Sequence, residues 1–311
     1  MKIPTQIKKC ACGRDAVMYR RYEGHYYCGR CLTYQVERMF RKTVRKHGLI
    51  KDNDRIVVAV SGGKDSSTLL YLMKKITAKN RSIKLSALII DEGMKKYRPE
   101  CIKAAKKLCK KLGVKLHVVK FSKLGTTLEK IAKHTDKTCT YCGVFRRYLL
   151  NREARRLGAT KLAVGHNLDD ECQAILMNMM RTDVGRFTRL GPMPGDIRDK
   201  KFVPRIKPLR NVPEKEIALY ALVNGIDFCR GSCPYAFDNV RRDVKILIND
   251  IEEKYPGTKM QVVKFYDELM KKVQKHGSKG KLDYCEKCGE PSSTEMCKSC
   301  QLLARLRKKC R

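Results

Sequence analysis

The sequence predicts an α/β fold, a doubly wound parallel sheet with a small cysteine-rich module at each end. Three observations carry this reading. Apolar runs of strand length alternate with stretches of helical periodicity. A glycine turn, Ser61-Gly62-Gly63-Lys64-Asp65-Ser66, separates the first of those strands from its helix. The cysteines of the 311-residue chain crowd toward its two ends.

Arg55 to Val60 reads as a fully buried strand, and the helix behind the glycine turn places Leu69, Leu70, Met73 and Ile76 on one face. A second unit follows, with strand Leu85 to Ile90 and helix Pro99 to Leu112, and then strand Val114 to Val119. After a further helix, Cys139-Thr-Tyr-Cys142 opens the helix that runs on through Arg146 and Arg147. Strand Lys161 to Gly165 feeds a helix on which Leu168, Cys172, Ile175, Leu176 and Met179 share a face. Gly191 to Gly195 marks a loop, after which Arg205 to Leu209 and a helix Glu214 to Val223 finish the domain. A charged helical segment extends to about Lys281. The division expected is 1–35 for an N-terminal knuckle, 36–50 for a linker helix and 51–225 for the α/β domain. Residues 226–281 form the helical segment and 282–311 a C-terminal knuckle.

Alternation of this kind gives a parallel sheet covered on both faces, with ligands beyond the carboxyl ends of the strands. Ser61 to Ser66, Asp91-Glu92-Gly93 and Gly165-His166-Asn167 all fall there. The apolar runs are too short to cross a bilayer, and no signal-peptide pattern follows Met1, so the expected place is the cytoplasm, with no membrane partner. The formal net charge is +37 and is spread along the chain, which suits a polyanion such as RNA or DNA or simply a solvated basic surface.

Sixteen cysteines without a secretory pattern point to metal or redox chemistry. Cys285-x2-Cys288 with Cys297-x2-Cys300 has the spacing of a four-thiolate zinc site. Cys10, Cys12, Cys28 and Cys31 form a less regular group, in which His25 is an alternative to Cys10 as ligand or else a packed histidine. Arg20, Arg21, Tyr22, Tyr26 and Tyr27 are candidates to stack on RNA bases, with about half of them expected simply to pack the knuckle. Cys139, Cys142 and Cys233 make three ligands, which leaves zinc with a fourth ligand, a reactive disulfide or a 4Fe-4S cluster with one open iron. Cys101, Cys109 and Cys172 read as small apolar helix residues, and Cys229 is a rival to Cys233.

The Ser61 to Ser66 turn lacks the Gly-Lys-Ser/Thr ending of a P-loop and resembles the pyrophosphate loop of ATP pyrophosphatases. Together with CTYCG, GHNLDD, RIKPLR, EKEI and CPYA in that order, it makes nearly the whole chain similar to the TtuA-type tRNA 2-thiouridine synthetases. Those include the archaeal and eukaryotic cytoplasmic tRNA 2-thiolation enzymes. The resemblance implies that Ser61, Gly62, Gly63, Lys64, Asp65 and Ser66 bind ATP phosphates, with Ile90, Arg146 and Gly165 also at the nucleotide. It implies Asp65, Asp170, Cys142 and Cys233 as catalytic residues, magnesium with the ATP, and a 4Fe-4S cluster on Cys139, Cys142 and Cys233. It further implies zinc at both ends, tRNA as substrate and a homodimer. The sulfur donor is either a ubiquitin-like carrier with a C-terminal thiocarboxylate or free sulfide. A TtcA-type cytidine 2-thiolase, which has two central CxxC pairs, and a non-enzymatic zinc-finger RNA-binding protein are the alternatives.

Overall fold

The structure is a computed structural model that describes residues 8–193, 199–231, 233–235, 240–273 and 283–309. The N-terminal module is a hairpin of β1 (Met18–Arg20) and β2 (His25–Tyr27) leading into α1 (Gly29–Lys46). The α/β units follow as β3 (Arg55–Ala59), α2 (Lys64–Thr77), β4 (Lys84–Asp91), α3 (Arg98–Leu112) and β5 (Lys115–Lys120). A 3-10 turn at Phe121–Leu124 leads to α4 (Leu128–Ala132), α5 (Thr138–Arg156), β6 (Lys161–Val164), α6 (Leu168–Met180), α7 (Val184–Phe187) and β7 (Arg205–Ile206). Helices α8 (Glu214–Val223), α9 (Val240–Lys254) and α10 (Thr258–Val273) precede the C-terminal module of β8 (Asp283–Tyr284), β9 (Pro291–Ser292) and α11 (Lys298–Lys309).

The central sheet has the order β5-β4-β3-β6-β7 with every pair parallel. Its strands alternate between two cores, as a sheet buried on both faces must. Ile56, Val58, Val60, Ala87 and Ile89 face α1, α2, α3 and α8, while Val57, Leu88 and Ile90 face α4, α5 and α11. Chain order reverses between β3 and β6, so the crevice at that switch point is where a ligand is expected. A third core joins α6 to α9 and α10 through Leu168, Ile175, Ile248, Val263 and Tyr266.

Strand limits agree with the sequence reading to within one residue. The expected boundary at residue 35 falls inside α1, because Leu32, Val36 and Phe40 turn that helix into a wall of the main core. Part of the Gly191 to Gly195 loop and of the stretch running to Lys281 lies outside the described residues.

Each terminal module is held by a buried or half-buried ion pair. Arg20 meets Glu216 of α8 at 2.6 Å, with both side chains at 2% exposure or less. Tyr22 donates to the same carboxylate at 3.0 Å, and the Tyr27 ring lies under the guanidinium at 4.5 Å. At the other end Glu290 pairs with Arg155 of α5, and Leu302 and Leu306 of α11 pack beside Phe145 and Leu149. Removing one partner of a fully buried pair strands the other charge. Arg20 keeps Glu23 at 3.0 Å as a second, more exposed partner, so Glu216→Gln should lower stability by about 1–3 kcal/mol in urea unfolding, whereas no measurable change would mean that Glu23 compensates the charge alone.

Candidate active site and metal centres

β3, β4 and β6 lie side by side and run the same way, so the segments that follow them meet at one edge. The loop after β3 is tight for identifiable reasons. Ser66 Oγ accepts from the Ser61 amide at 2.9 Å and donates to the Gly63 carbonyl at 3.1 Å, and Ser61 Oγ lies 3.0 Å from it. Gly62 has φ +85°, and a Cβ there would stand 2.3 Å from the Cys101 carbonyl oxygen. A Cβ on Gly165 would come within 3.1 Å of the Ser66 amide nitrogen. Gly63 caps α2 without a side-chain bond, leaving the first amides of a 14-residue helix to face the crevice.

The charged residues interlock the signatures. Lys64 Nζ bridges Asp65 at 3.0 Å and Glu214 of α8 at 2.6 Å, and Glu214 also holds Lys245 at 2.6 Å. Asp65 Oδ1 accepts from Asn167 Nδ2 at 3.0 Å, which joins the glycine loop to the segment after β6. Asn167 N-caps α6 in a capping box with Asp170. Asp170 thus has a structural duty, and its Oδ1 lies 3.8 Å from Arg241. Burial raises the pKa of both Asp65 and Asp170, against the pull of Lys64 on the first and of the Asn167 amide on the second. His166 is exposed after β6, and desolvation by the surrounding chain and the nearby Lys207 lower its pKa.

Arg98 is the site residue that the sequence reading missed. Its side chain donates to the Ser61 carbonyl at 2.9 Å and the Ile90 carbonyl at 2.9 Å, and it pairs with Glu92 at 2.7 Å. It ties the ends of β3 and β4 together and engages the carbonyl of Ile90. Glu92 also lies 3.8 Å from Arg146, one turn beyond the CxxC pair. The only hint in sequence is an arginine ahead of Pro99 at a helix start. The RIKPLR run proves to be a brace, with Lys207 on Glu171 at 2.5 Å and Arg210 forked onto Asp267 at 2.9 and 3.0 Å.

The cysteines fall into geometries that can be told apart. Cys10, Cys12, Cys28 and Cys31 converge, as do Cys285, Cys288, Cys297 and Cys300, with each set of sulfurs within 4.8 Å. Measured pairs are 3.5 Å for Cys12 with Cys28, 3.6 Å for Cys31 with Cys12 and 3.6 Å for Cys288 with Cys297. A tetrahedral zinc with Zn–S near 2.3 Å needs sulfurs roughly 3.8 Å apart, so both donor sets fit that ion. Cys10 reaches its group through a turn closed at Gly13, φ +83°, and exposed His25 is not among the converging ligands. Cys12 is lowered to about 6, chiefly by the Arg14 amide, which favours the thiolate that a metal requires.

Cys139 and Cys142 occupy the first turn of α5. Cys139 donates to the Tyr235 carbonyl at 2.9 Å, and Cys233 lies 3.8 Å from the Met94 sulfur. The three thiols are close enough to influence one another's ionisation, yet they do not converge as the terminal sets do. A single small ion needs that convergence and a polynuclear group does not. Burial pushes Cys142 up to about 11. Cys229, the rival to Cys233, instead meets Cys101 at 2.6 Å. Cys109 and Cys172 are buried on α3 and α6, and Cys310 lies outside the described residues.

Loop, switch-point crevice and cysteine sets together define an ATP-using α/β enzyme with metal centres. The PP-loop domain family matches residues 32–243. A probable sulfurtransferase of Methanocaldococcus jannaschii is 36% identical, with 97% of this chain and 89% of the relative covered. The tRNA-5-methyluridine(54) 2-sulfurtransferase of Pyrococcus horikoshii is 34% identical, with 94% and 93% covered. The U34-tRNA thiolase NcsA of Methanococcus maripaludis, solved with its [4Fe-4S] cluster, superposes with a TM-score of 0.83 at 33% identity over 97% of both chains. The chain belongs to the PP-loop family of tRNA 2-thiolation proteins. No helix among the described residues is long and apolar enough to cross a membrane.

Closed four-thiolate sites lose their ion when one ligand is removed. Cys288→Ser should release one of two tightly bound metal ions per chain, read by elemental analysis, and leave the sheet folded by circular dichroism. Retention of both ions would remove Cys288 from the ligand set.

Proposed function

We propose that this chain adenylates the C2 carbonyl oxygen of a tRNA uridine with ATP and replaces that oxygen with sulfur. The observation that carries the reading is the Asp65 to Asn167 hydrogen bond at 3.0 Å, which joins a glycine phosphate loop to the second signature at the sheet's switch point. The uridine oxygen attacks the α-phosphate of ATP, and pyrophosphate leaves. A sulfur nucleophile then attacks C2, and AMP departs with the oxygen. Amides at the start of α2 and Lys64 stabilise charge on the phosphates. Asp65 and Asp170 are the carboxylates available to a magnesium ion that accompanies ATP.

Cys139, Cys142 and Cys233 are the residues to hold a 4Fe-4S cluster, and zinc is the ion for the two knuckles. Bound there, the cluster supplies an iron without a protein ligand, a place to receive sulfur. Arg146, on α5 and 3.8 Å from Glu92, is the arginine to contact the nucleotide. The donor is free sulfide or a ubiquitin-like thiocarboxylate, and the working form is a homodimer. For tRNA, the exposed Tyr19 and Tyr26 rings, 4.6 Å apart on the N-terminal hairpin, offer stacking beside a +37 chain.

Asp65→Ala and Ser66→Ala should abolish AMP formation while tRNA binding, measured by filter retention, stays within about twofold, because phosphate positioning and RNA contact use separate groups. Normal AMP production by either variant would overturn the loop assignment. Purified without oxygen, the protein should carry iron, acid-labile sulfide and broad visible absorption. All three are expected to vanish in Cys139→Ala, Cys142→Ala and Cys233→Ala and to persist in Cys229→Ala. Full-rate thiolation by iron-free protein would overturn the cluster as the sulfur-transfer site and leave cysteines that cycle between a disulfide, opened by sulfide, and a persulfide.

A further inference from the structure

We infer that Cys101 and Cys229 form a reversible thiol–disulfide site, oxidised by a low-molecular-weight disulfide that enters the cavity beside α3. The two sulfurs are 2.6 Å apart although the residues are 128 positions apart in sequence. That is closer than the sulfurs of either metal knuckle, with no third or fourth thiolate converging on them among the described residues. The pair is therefore arranged for a bond to each other and not for a shared ion.

The surroundings hold the pair in place. Cys101 is fully buried on α3, and its carbonyl is pressed against Gly62. The Cys229 amide donates to the Gly62 carbonyl at 2.8 Å. Both cysteines thus grip the same residue of the phosphate loop from opposite partners. Cys229 is half-exposed and lines an open cavity of about 420 Å³. Lys96, Lys103, Lys107 and Arg230 line it too, against two acids, Glu100 and Asp227, of which Asp227 is paired with Lys107. A small disulfide bearing carboxylates, the class to which oxidised glutathione belongs, matches that excess of positive charge.

The roles of the two sulfurs differ. The Cys101 thiol donates to the Cys229 sulfur, and burial keeps Cys101 protonated, its pKa pushed up to about 11. Cys229, the more exposed of the two, is the attacking sulfur and releases its proton to solvent as it attacks. It displaces one thiolate from the small disulfide and forms a mixed disulfide. Cys101 then passes its proton to the expelled thiolate and attacks the Cys229 sulfur, releasing the second small thiol. Two protein hydrogens end on two small thiols, and one S–S bond is exchanged for another. The cross-link joins α3 to the segment that leads into Cys233, with Gly62 held between them.

The test is peptide mapping of the metal-loaded, full-length protein equilibrated without oxygen in mixtures of reduced and oxidised glutathione, with free thiols then blocked by iodoacetamide. A linked peptide pair containing Cys101 and Cys229 should accumulate as oxidised glutathione rises and disappear with dithiothreitol. In Cys101→Ala, Cys229 should stop at the glutathione adduct, and in Cys229→Ser, Cys101 should remain a free thiol. The inference is overturned if wild-type Cys229 stops at the adduct, links to Cys233, or is alkylated together with Cys101 at every ratio. None of these readouts involves tRNA or ATP, so they stand apart from the thiolation reading.

Discussion

Everything at the functional edge depends on how closely the loop after β3 is squeezed by its neighbours. A side chain at Gly62 would meet the backbone of α3, and one at Gly165 would press on the first turn of α2. The loop's own serines close it from within, and Asn167 fixes Asp65 from the adjacent strand end. Because a helix N-terminus binds an anion through fixed amides, its value lies in where those amides point. Two glycines and two hydroxyls set that direction, and the packing of three elements holds it.

Around this loop the structure carries charge in places where charge is costly. Arg98, Glu92, Glu171, Lys207 and Arg210 are all buried. Each is paired, and the pairs connect elements that hydrophobic contact alone would leave free to slide. Buried pairs contribute little net stability, since desolvation offsets most of the attraction, but they penalise any arrangement that separates them. Arg98 shows the consequence. A hydrophobic residue of similar size would fill the same space but could not fix the carbonyls of Ile90 and Ser61 relative to each other.

Much of the sheet was legible because its signals are local. A buried parallel strand reads as a short β-branched run, and a glycine turn before a helix announces an anion site within a dozen residues. The spacing of the C-terminal cysteines is equally local. Arg98 was not legible, because its partners lie on two strands and its identity as a strut exists only after folding. For the same reason α1 read as a linker. The surface it covers, built from α2 and α8, is assembled from distant sequence.

Cysteine spacing shows where local reading ends. Cys285-x2-Cys288 declares a metal knuckle because a two-residue gap fixes both sulfurs on one turn, and Cys10-Ala-Cys12 reaches the same result through a less familiar turn closed at Gly13. Cys229 and Cys233 are four residues apart, which made them look like rivals for one role, yet the chain between them sends their sulfurs to different partners. Cys229 turns to Cys101 and the phosphate loop, while Cys233 sits beside Met94 near the start of α5. The same thiol thus stands in a tight set of four, in a looser group of three or in a pair, according to how many others the fold brings within reach and at what distance. Separation along the chain sets only the lower bound on that geometry, and the sheet decides the rest by fixing which strand end each loop must leave.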